Sequence, residues 1–435
     1  MSPAKRTNQP INRRTALRAA GLLPLAAAAS TLSVGCSTVD NALANAFSFN
    51  TVRVGVSWSG DELAAFQQVL AGFHADGYSV QALPLGDEIR TALSARANSR
   101  PDVVMLPAPG LIQDNVQYLD PLPADLWDSG NLDLGWRDSV SVNGVPYGLP
   151  FKLANKSAVW YRADLIDRPP ASWSEWLALN ESLIRKGIAP LAVAGADGWP
   201  LTDFLSNVLL TVSPSAYRRL TTARPDWSDP ALFQALRALG AMWAAPGAIS
   251  GGADRALEMQ YPDALVEVFG FHRAAMVVSP DYAEPVIRRF HREPARIGVF
   301  PFPGTHGDVV SGGDIAVLRK PAGDQASAFV RWLAGAAAPL PWINGNGGFL
   351  AANPQSDNDN PSYTPDARQL LATLRRSDLL YIDLFDGIGS SYGSPLEQAL
   401  EDFLRTVGEG GPRAIDQAVR TVLNTMTATA NGPGG

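Results

Sequence analysis

Residues 147–176, YGLPFKLANKSAVWYRADLIDRPPASWSEW, contain the pattern that best predicts the fold of this chain. The apolar run 157–161 predicts a strand buried on both faces. The pair Pro169 and Pro170 ends regular structure. Ser172 is then placed to cap a helix that begins at Trp173, with a capping-box glutamate three residues after the cap. The spacing of these strand, turn and helix signals fits two arrangements. One is a strand–loop–helix connection inside one α/β domain, and the other is a crossing of the chain between two domains.

Length and composition favour a globular protein with two domains. The chain has 435 residues, more than one typical hydrophobic core contains, and 46% of them are hydrophobic. Its net charge is −7. Because no basic cluster is present to neutralise a phosphate backbone, the composition argues against a nucleic-acid partner.

The first 36 residues are interpreted as an export signal. Basic residues including Arg13 and Arg14 precede a run of small and apolar residues at 19–35. The segment 12–17 resembles a twin-arginine signal, although Ala16 stands where a large apolar residue is usual. Both twin-arginine and general secretory export therefore stay open.

Cys36, the single cysteine of the chain, follows this run directly. The sequence 32–36, LSVGC, resembles a lipoprotein cleavage box with the leucine one place early. The sequence therefore predicts a lipid anchor on Cys36, a tether over 37–49, and a protein held on the outer face of the cytoplasmic membrane.

The region after the tether predicts a parallel sheet covered by helices. Strand patterns at 52–56, 80–83 and 101–106 alternate with helical patterns. Ligands of such sheets bind beyond the carboxyl ends of the strands, where the loops 57–62 and 107–110 lie in this reading.

An ordered set of motifs resembles the carbohydrate-binding extracellular solute-binding proteins (family 1), the receptors of ABC importers. These are the opening stretch, FGFHRAAMVVSPDYAEPV at 269–286, IGVFPFPG at 297–304 and SGGDIAVLR at 311–319. The resemblance covers about residues 50–430.

The resemblance implies an α/β fold of the periplasmic-binding-protein type II, with two lobes, three interlobe crossings and a ligand cleft between the lobes. Lobe one is expected at 50–153 plus 305–345, and lobe two at 154–304 plus 346–430. The last crossing is expected near the glycine-rich segment 344–348. Permease subunits with a cytoplasmic ATPase are implied as partners of a monomeric receptor.

Sugar recognition needs carboxylates or amides for the hydroxyl groups and aromatic rings for the C–H faces. On these grounds, and by the resemblance for the 311–314 loop, we predict ligand contacts from Trp58, Ser59, Asp61, Glu62, Lys152, Trp199, Asp281, Tyr282, Ser311, Gly312, Gly313, Asp314, Asn344 and Asn346. Several have structural alternatives: Trp58 as a core residue, Asp61 as a helix cap, and the glycine pair as a turn. Asp383 and Asp386 are interpreted as solvated turn residues, in a segment that could also reach the cleft.

The charge of this set favours a neutral oligosaccharide or an amino sugar. Four acidic residues accompany one lysine, whereas a phosphate would need arginines or helix N-termini. A glycerophosphodiester stays an alternative, because some members of the resembled family bind such ligands and a choline group suits an acidic aromatic site.

Enzyme motifs are weak in this sequence. Ser391 lies in a G-x-S-x-G pattern within 389–393, but the last histidine, His306, precedes it, so the usual order of a hydrolase triad fails. We interpret 389–393 as a Gly/Ser loop. Metal and phosphate-loop motifs are absent from the sequence. We therefore predict a binding protein without a cofactor. A two-carboxylate glycoside hydrolase and a surface adhesion protein remain the alternatives.

Overall fold

The computed structural model describes residues 51–431 except 75–76, 95–99, 129–135, 223–224, 292, 294–295, 357–361 and 377–379. The predicted export signal, tether and lipidated Cys36 lie outside the described residues. Within the described part, no helix combines the length and the apolar character needed to cross a membrane.

The described residues form strands and helices in alternation over most of the chain. The strands are β1 (Thr51–Val56), β2 (Ser79–Pro84), β3 (Val103–Leu106), β4 (Leu119–Asp120), β5 (Ser141–Val142), β6 (Val145–Pro146), β7 (Gly148–Asn155), β8 (Ala158–Arg162), β9 (Ala189–Ala192), β10 (Ala274–Val278), β11 (Ile297–Pro301), β12 (Val309–Arg319), β13 (Leu350–Ala351) and β14 (Leu380–Ile382).

The helices are α1 (Gly60–Ala71), α2 (Gly110–Asn115), α3 (Asp125–Asp128), α4 (Trp173–Arg185), α5 (Trp199–Val212), α6 (Pro214–Leu220), α7 (Pro230–Trp243), α8 (Gly252–Glu258), α9 (Tyr261–Phe269), α10 (Glu284–Phe290), α11 (Asp324–Leu333), α12 (Leu340–Gly345), α13 (Pro365–Arg376), α14 (Leu384–Ile388), α15 (Ser390–Gly410) and α16 (Ile415–Ala430).

The first sheet has the strand order β13-β7-β12-β3-β1-β2, and β4 and β14 also pair with β12. The strands β1, β2 and β3 are parallel, as the sequence predicted, whereas β12 runs antiparallel to β3 and β7. Every residue of β7 is buried. This long apolar strand therefore lies inside the sheet and ends at the point where the chain leaves it.

The second sheet has the order β11-β8-β10-β9, with β8 antiparallel to both of its neighbours. One of its sides packs on α4 to α8, α15 and α16. Helix α4 begins as predicted: the Ser172 hydroxyl accepts a hydrogen bond from the Glu175 N–H at 3.2 Å. The Glu175 carboxylate in turn accepts from the N–H of Ala171 at 2.8 Å, one residue before the cap. The stretch that opens the sequence argument is therefore a crossing between two sheets.

Within the described residues, the chain passes between the two sheets three times. It leaves the first sheet between β7 and β8, returns between β11 and β12, and leaves again after β14 at residues 382–384. The last crossing differs from the expectation at 344–348. Leu350 pairs with Leu153 of β7, and the 349–352 segment is buried in the core beside the first sheet. That burial keeps the chain with the first sheet until β14, so two strands of the 346–430 segment join the first sheet. The lobe boundaries themselves stay a prediction.

Candidate functional site

A cavity of about 500 Å³ lies between elements of the first sheet and elements of the second. From the first side it is lined by the loop after β1 and by residues of β7 and β12, and from the second side by α5 and the loop after β10. The predicted residues that line it are Trp58, Glu62, Lys152, Trp199, Tyr282, Gly313 and Asp314. Sequence reasoning thus selected residues from both sides of one cavity.

The other half of the predicted set does not line the cavity. Ser59 is the exposed N-cap of α1, and Asp61 forms a surface ion pair with Arg289. Asn344 is exposed near the end of α12, and Asn346 is the C-cap residue of that helix. Ligand contact by these four predicted residues is not supported by their positions and stays a prediction.

Three further predicted residues, Asp281, Ser311 and Gly312, are buried in structural roles. The Asp281 carboxylate accepts a hydrogen bond from the Asn155 N–H at 2.6 Å. The Ser311 hydroxyl donates to a carbonyl of β14 at 3.3 Å. A Cβ on Gly312 would lie 2.8 Å from Cε of Lys156. The glycine therefore makes room for a lysine side chain, where the sequence predicted a backbone approach to ligand.

Aromatic rings line the cavity from both sides. Trp58 is buried, and its ring centroid lies 4.9 Å from that of Trp342. Across the cavity, Trp199 and Tyr282 are partly exposed, with centroids 6.4 Å apart, and both rings contact Tyr261. Trp199 opens α5 directly after Gly198, whose φ of 70° suits glycine. Partly exposed rings at a cavity are suited to stack on the C–H face of a sugar.

A buried lysine with carboxylate neighbours lies on the first-sheet side. Nζ of Lys152 lies 2.8 Å from Oε1 of Glu62 and 5.2 Å from the ring centroid of Tyr282. Burial disfavours the charge of Lys152, but Glu62 and Asp314 outweigh it and raise the pKa of the lysine. Burial also raises the pKa of Asp314 to about 7, although the neighbouring indole of Trp58 opposes this rise.

A second lysine cluster lines the cavity and was not selected from the sequence. Nζ of Lys156 lies 3.2 Å from Oδ1 of Asp203 and also bonds to Asp383. Asp383 and Asp386, which we interpreted as solvated turn residues, are instead buried. The available signal was Lys156 itself: the chain has only five lysines, and this one follows Lys152 by four residues inside a buried stretch.

The carboxyl groups of this second cluster differ in their affinity for protons. Burial raises the pKa of Asp203 to about 7. Burial also raises the pKa of Asp386, and the negative charge of Asp383 raises it further. Asp383 is buried too, but the charge of Lys156 prevails and lowers its pKa. The cluster therefore holds an ion pair, Lys156 with Asp383, beside two carboxyl groups whose pKa values are raised.

The arrangement is suited to binding. Seven carboxyl groups and two lysines line the cavity, the remaining acids being Asp197 and Glu397. No histidine is among the lining residues. In the part of the chain that the structure describes, no group of three or more His, Cys, Asp or Glu side chains could hold a metal ion. The cavity offers hydrogen-bond acceptors, donors and ring faces, which are the contacts that a polyhydroxylated ligand needs.

Known proteins are similar in sequence to part of this chain. The family described as bacterial extracellular solute-binding protein matches residues 57–338. The osmoprotective compounds-binding protein GgtB of Synechocystis sp. is 28% identical over 229 residues, 48% of this chain and 54% of the relative. The alpha-glucosides-binding periplasmic protein AglE of Rhizobium meliloti is 29% identical over 235 residues, 49% of this chain and 51% of the relative. The chain spans about half the length of these relatives.

Solved structures share the fold over nearly all of the described residues. The bacterial solute receptor AcbH superposes with a TM-score of 0.73 at 17% identity, covering 87% of this chain and 99% of the receptor. The binding protein RafE in complex with raffinose superposes with a TM-score of 0.69 at 17% identity, with the same coverage. At this identity the likeness establishes the two-lobed α/β fold.

Proposed function

The chain belongs to the family of bacterial extracellular solute-binding proteins, and from that membership we propose that it is the carbohydrate-binding receptor of an ABC importer. Its ligand is an oligosaccharide or an amino sugar, captured by closure of the two lobes and delivered to membrane permease subunits. The observation that carries the proposal is the 500 Å³ cavity with aromatic rings and carboxyl groups on both sides. The names of AglE and RafE support a sugar ligand.

The proposal includes export, a lipid anchor on Cys36, and a monomer that acts without chemical conversion of its ligand. A phosphodiester ligand fits less well, because the seven carboxyl groups around the cavity would repel a phosphate. Both lysines of the cavity are already paired with carboxylates.

A thermal-shift screen of the purified protein tests the proposal. The panel holds disaccharides, trisaccharides, amino sugars and glycerophosphocholine. We expect the melting temperature to rise with the concentration of one sugar class, because a ligand that binds only the folded state stabilises it. The sugar is then recovered and analysed: an intact sugar supports a receptor, and a cleaved one supports a hydrolase. No rise with any sugar would contradict the proposal.

A further inference from the structure

Lys156 lies inside the first crossing, and its backbone bonds to both sides of the molecule. Its N–H donates to the carbonyl of Val310 in β12 at 2.8 Å. Its carbonyl accepts from the side-chain amide of Asn207 in α5 at 2.9 Å. The main chain at this residue therefore connects the first crossing to the strand that follows the second crossing and to a helix of the second-sheet side.

The side chain of Lys156 reaches the third crossing. Its ammonium group bonds to Asp203 in α5 and to Asp383. Asp383 directly follows β14, where the chain leaves the first sheet for the last time. The N–H of Asp383 donates to the Ser311 carbonyl of β12 at 3.1 Å. The side chain of Lys156 is 15% exposed. One cation thus joins two crossings to one helix at the wall of the cavity.

Helix α5 presents a polar face to the first and third crossings. Asp203, Ser206 and Asn207 are spaced three and four residues apart, so they share one face of the helix. All three side chains are buried. The Ser206 hydroxyl accepts from the N–H of Leu384 at 3.2 Å, beside the third crossing. Ser157 hydrogen-bonds Asn207 and accepts from the Val310 N–H at 2.8 Å. Buried polar groups cost free energy when they are not hydrogen-bonded. The hydrogen bonds of this face therefore hold the crossings against the helix.

We propose that Lys156 is a hinge-coupling residue. Its ammonium group sets the balance between open and closed arrangements of the two sheets. It also links contacts made in the cavity to the crossings. Without the cation, the buried carboxylate of Asp383 would lose its counter-charge, and Asp203 would lose the donor that it shares with Asp383. The bonds between the third crossing and α5 would therefore loosen. The inference rests on the two-sheet architecture and not on which sugar the receptor binds.

Lys152 provides a matched comparison. It lines the same cavity and is also buried and ion-paired, but its carboxylate partner Glu62 belongs to α1 on its own, first-sheet side. Replacing Lys152 removes the same charge from the same cavity and leaves the hydrogen bonds and ion pairs between the crossings in place. Across the cavity, Lys152 contacts the ring of Tyr282, whose centroid lies 5.2 Å from Nζ. Comparing substitutions of the two lysines therefore distinguishes a hinge role of Lys156 from a general effect of losing a positive charge in the cavity.

Small-angle X-ray scattering of the full-length ligand-free protein tests the inference. We expect Lys156→Met to enlarge the radius of gyration beyond replicate error, and Lys152→Met and Lys156→Arg to leave it at the wild-type value. Equal radii for wild type and Lys156→Met, or the same increase in both methionine variants, would overturn the proposal.

A second variant covers the case in which Lys156→Met does not fold. Asp383→Asn removes the negative charge of the partner in the third crossing and leaves the first crossing and Asp203 intact. We expect it to enlarge the radius of gyration in the same direction, and an unchanged radius would overturn the proposal. Because no sugar is present in these measurements, a failure to bind sugar would contradict the proposed function and leave this test unaffected.

Discussion

The backbone N–H of Asn155 lies 2.6 Å from the carboxylate of Asp281. This bond joins the end of β7 in the first sheet to the loop that follows β10 in the second. The next residue of that loop, Tyr282, lines the cavity. Two adjacent residues that we predicted as ligand contacts therefore have different surroundings: Asp281 is bonded across the first crossing, and Tyr282 lines the cavity.

The first prediction concerns the aromatic wall. We expect Trp199→Ala and Tyr282→Ala each to weaken sugar binding about tenfold or more, roughly 1.4 kcal/mol, because each removes a ring face from the cavity. Titration calorimetry measures the change. Phe271→Ala, which removes an exposed ring outside the cavity lining, should leave affinity unchanged. If Trp199→Ala and Tyr282→Ala bind sugar as tightly as the Phe271→Ala control and the wild type, Trp199 and Tyr282 are not ligand contacts.

The second prediction concerns stability at the crossings. Ser157→Ala should lower the free energy of unfolding by about 1–3 kcal/mol, because it leaves the buried N–H of Val310 without its acceptor. Urea unfolding measures the loss. Ser391→Ala, at an exposed position of α15, should change stability by less than about 0.5 kcal/mol. Equal effects of the two substitutions would contradict the hydrogen-bonded hinge.

The third prediction concerns pH. The pKa of Asp203 is about 7 in the folded protein, against about 4 in an unfolded chain. Between these values the folded state binds more protons, so ionisation of Asp203 lowers the free energy of unfolding as pH rises through this window. Asp203→Asn should therefore lose less stability than wild type between pH 5 and pH 8, measured by urea unfolding of the ligand-free protein. Parallel losses in both proteins would show that Asp203 does not titrate there.

The fourth prediction concerns the anchor. Wild-type protein should sediment with the membrane fraction, and Cys36→Ala should be released into the soluble fraction, because a thioether-linked lipid requires this cysteine. Immunoblots of the two fractions give the answer. Co-sedimentation of both proteins with the membrane would exclude the lipid anchor on Cys36.

Local patterns predicted the elements whose sequence signals are local. The strand at 52–56 and the helix that begins at Trp173 are present, and the capping serine works as expected. The segment 389–393 was interpreted wrongly as a Gly/Ser loop, because α15 begins at Ser390. Burial of Tyr392 and Leu396 against the second core outweighs the weak helix propensity of glycine and serine.

The second lysine cluster was not predictable in the same way. Lys156 and Asp383 are 227 residues apart in sequence, and only the third crossing brings them together. The crossing itself was misplaced because the 344–348 glycines looked like a boundary, whereas Leu350 continues the first sheet. Trp58, Trp199 and Tyr282 line the cavity because they follow strand ends, whereas Lys152 and Asp314 line it from inside strands. The strand-end rule does not tell which side chains turn toward the hinge.

The most direct test of the receptor function is titration calorimetry of the purified protein with the sugar that raises its melting temperature most. We predict saturable binding with one site per chain, and a heat signal that falls sharply in the Trp199→Ala, Tyr282→Ala double variant. Saturable binding that the double variant retains in full would place the ligand outside this cavity. No saturable heat with any sugar of the panel would contradict the carbohydrate receptor itself.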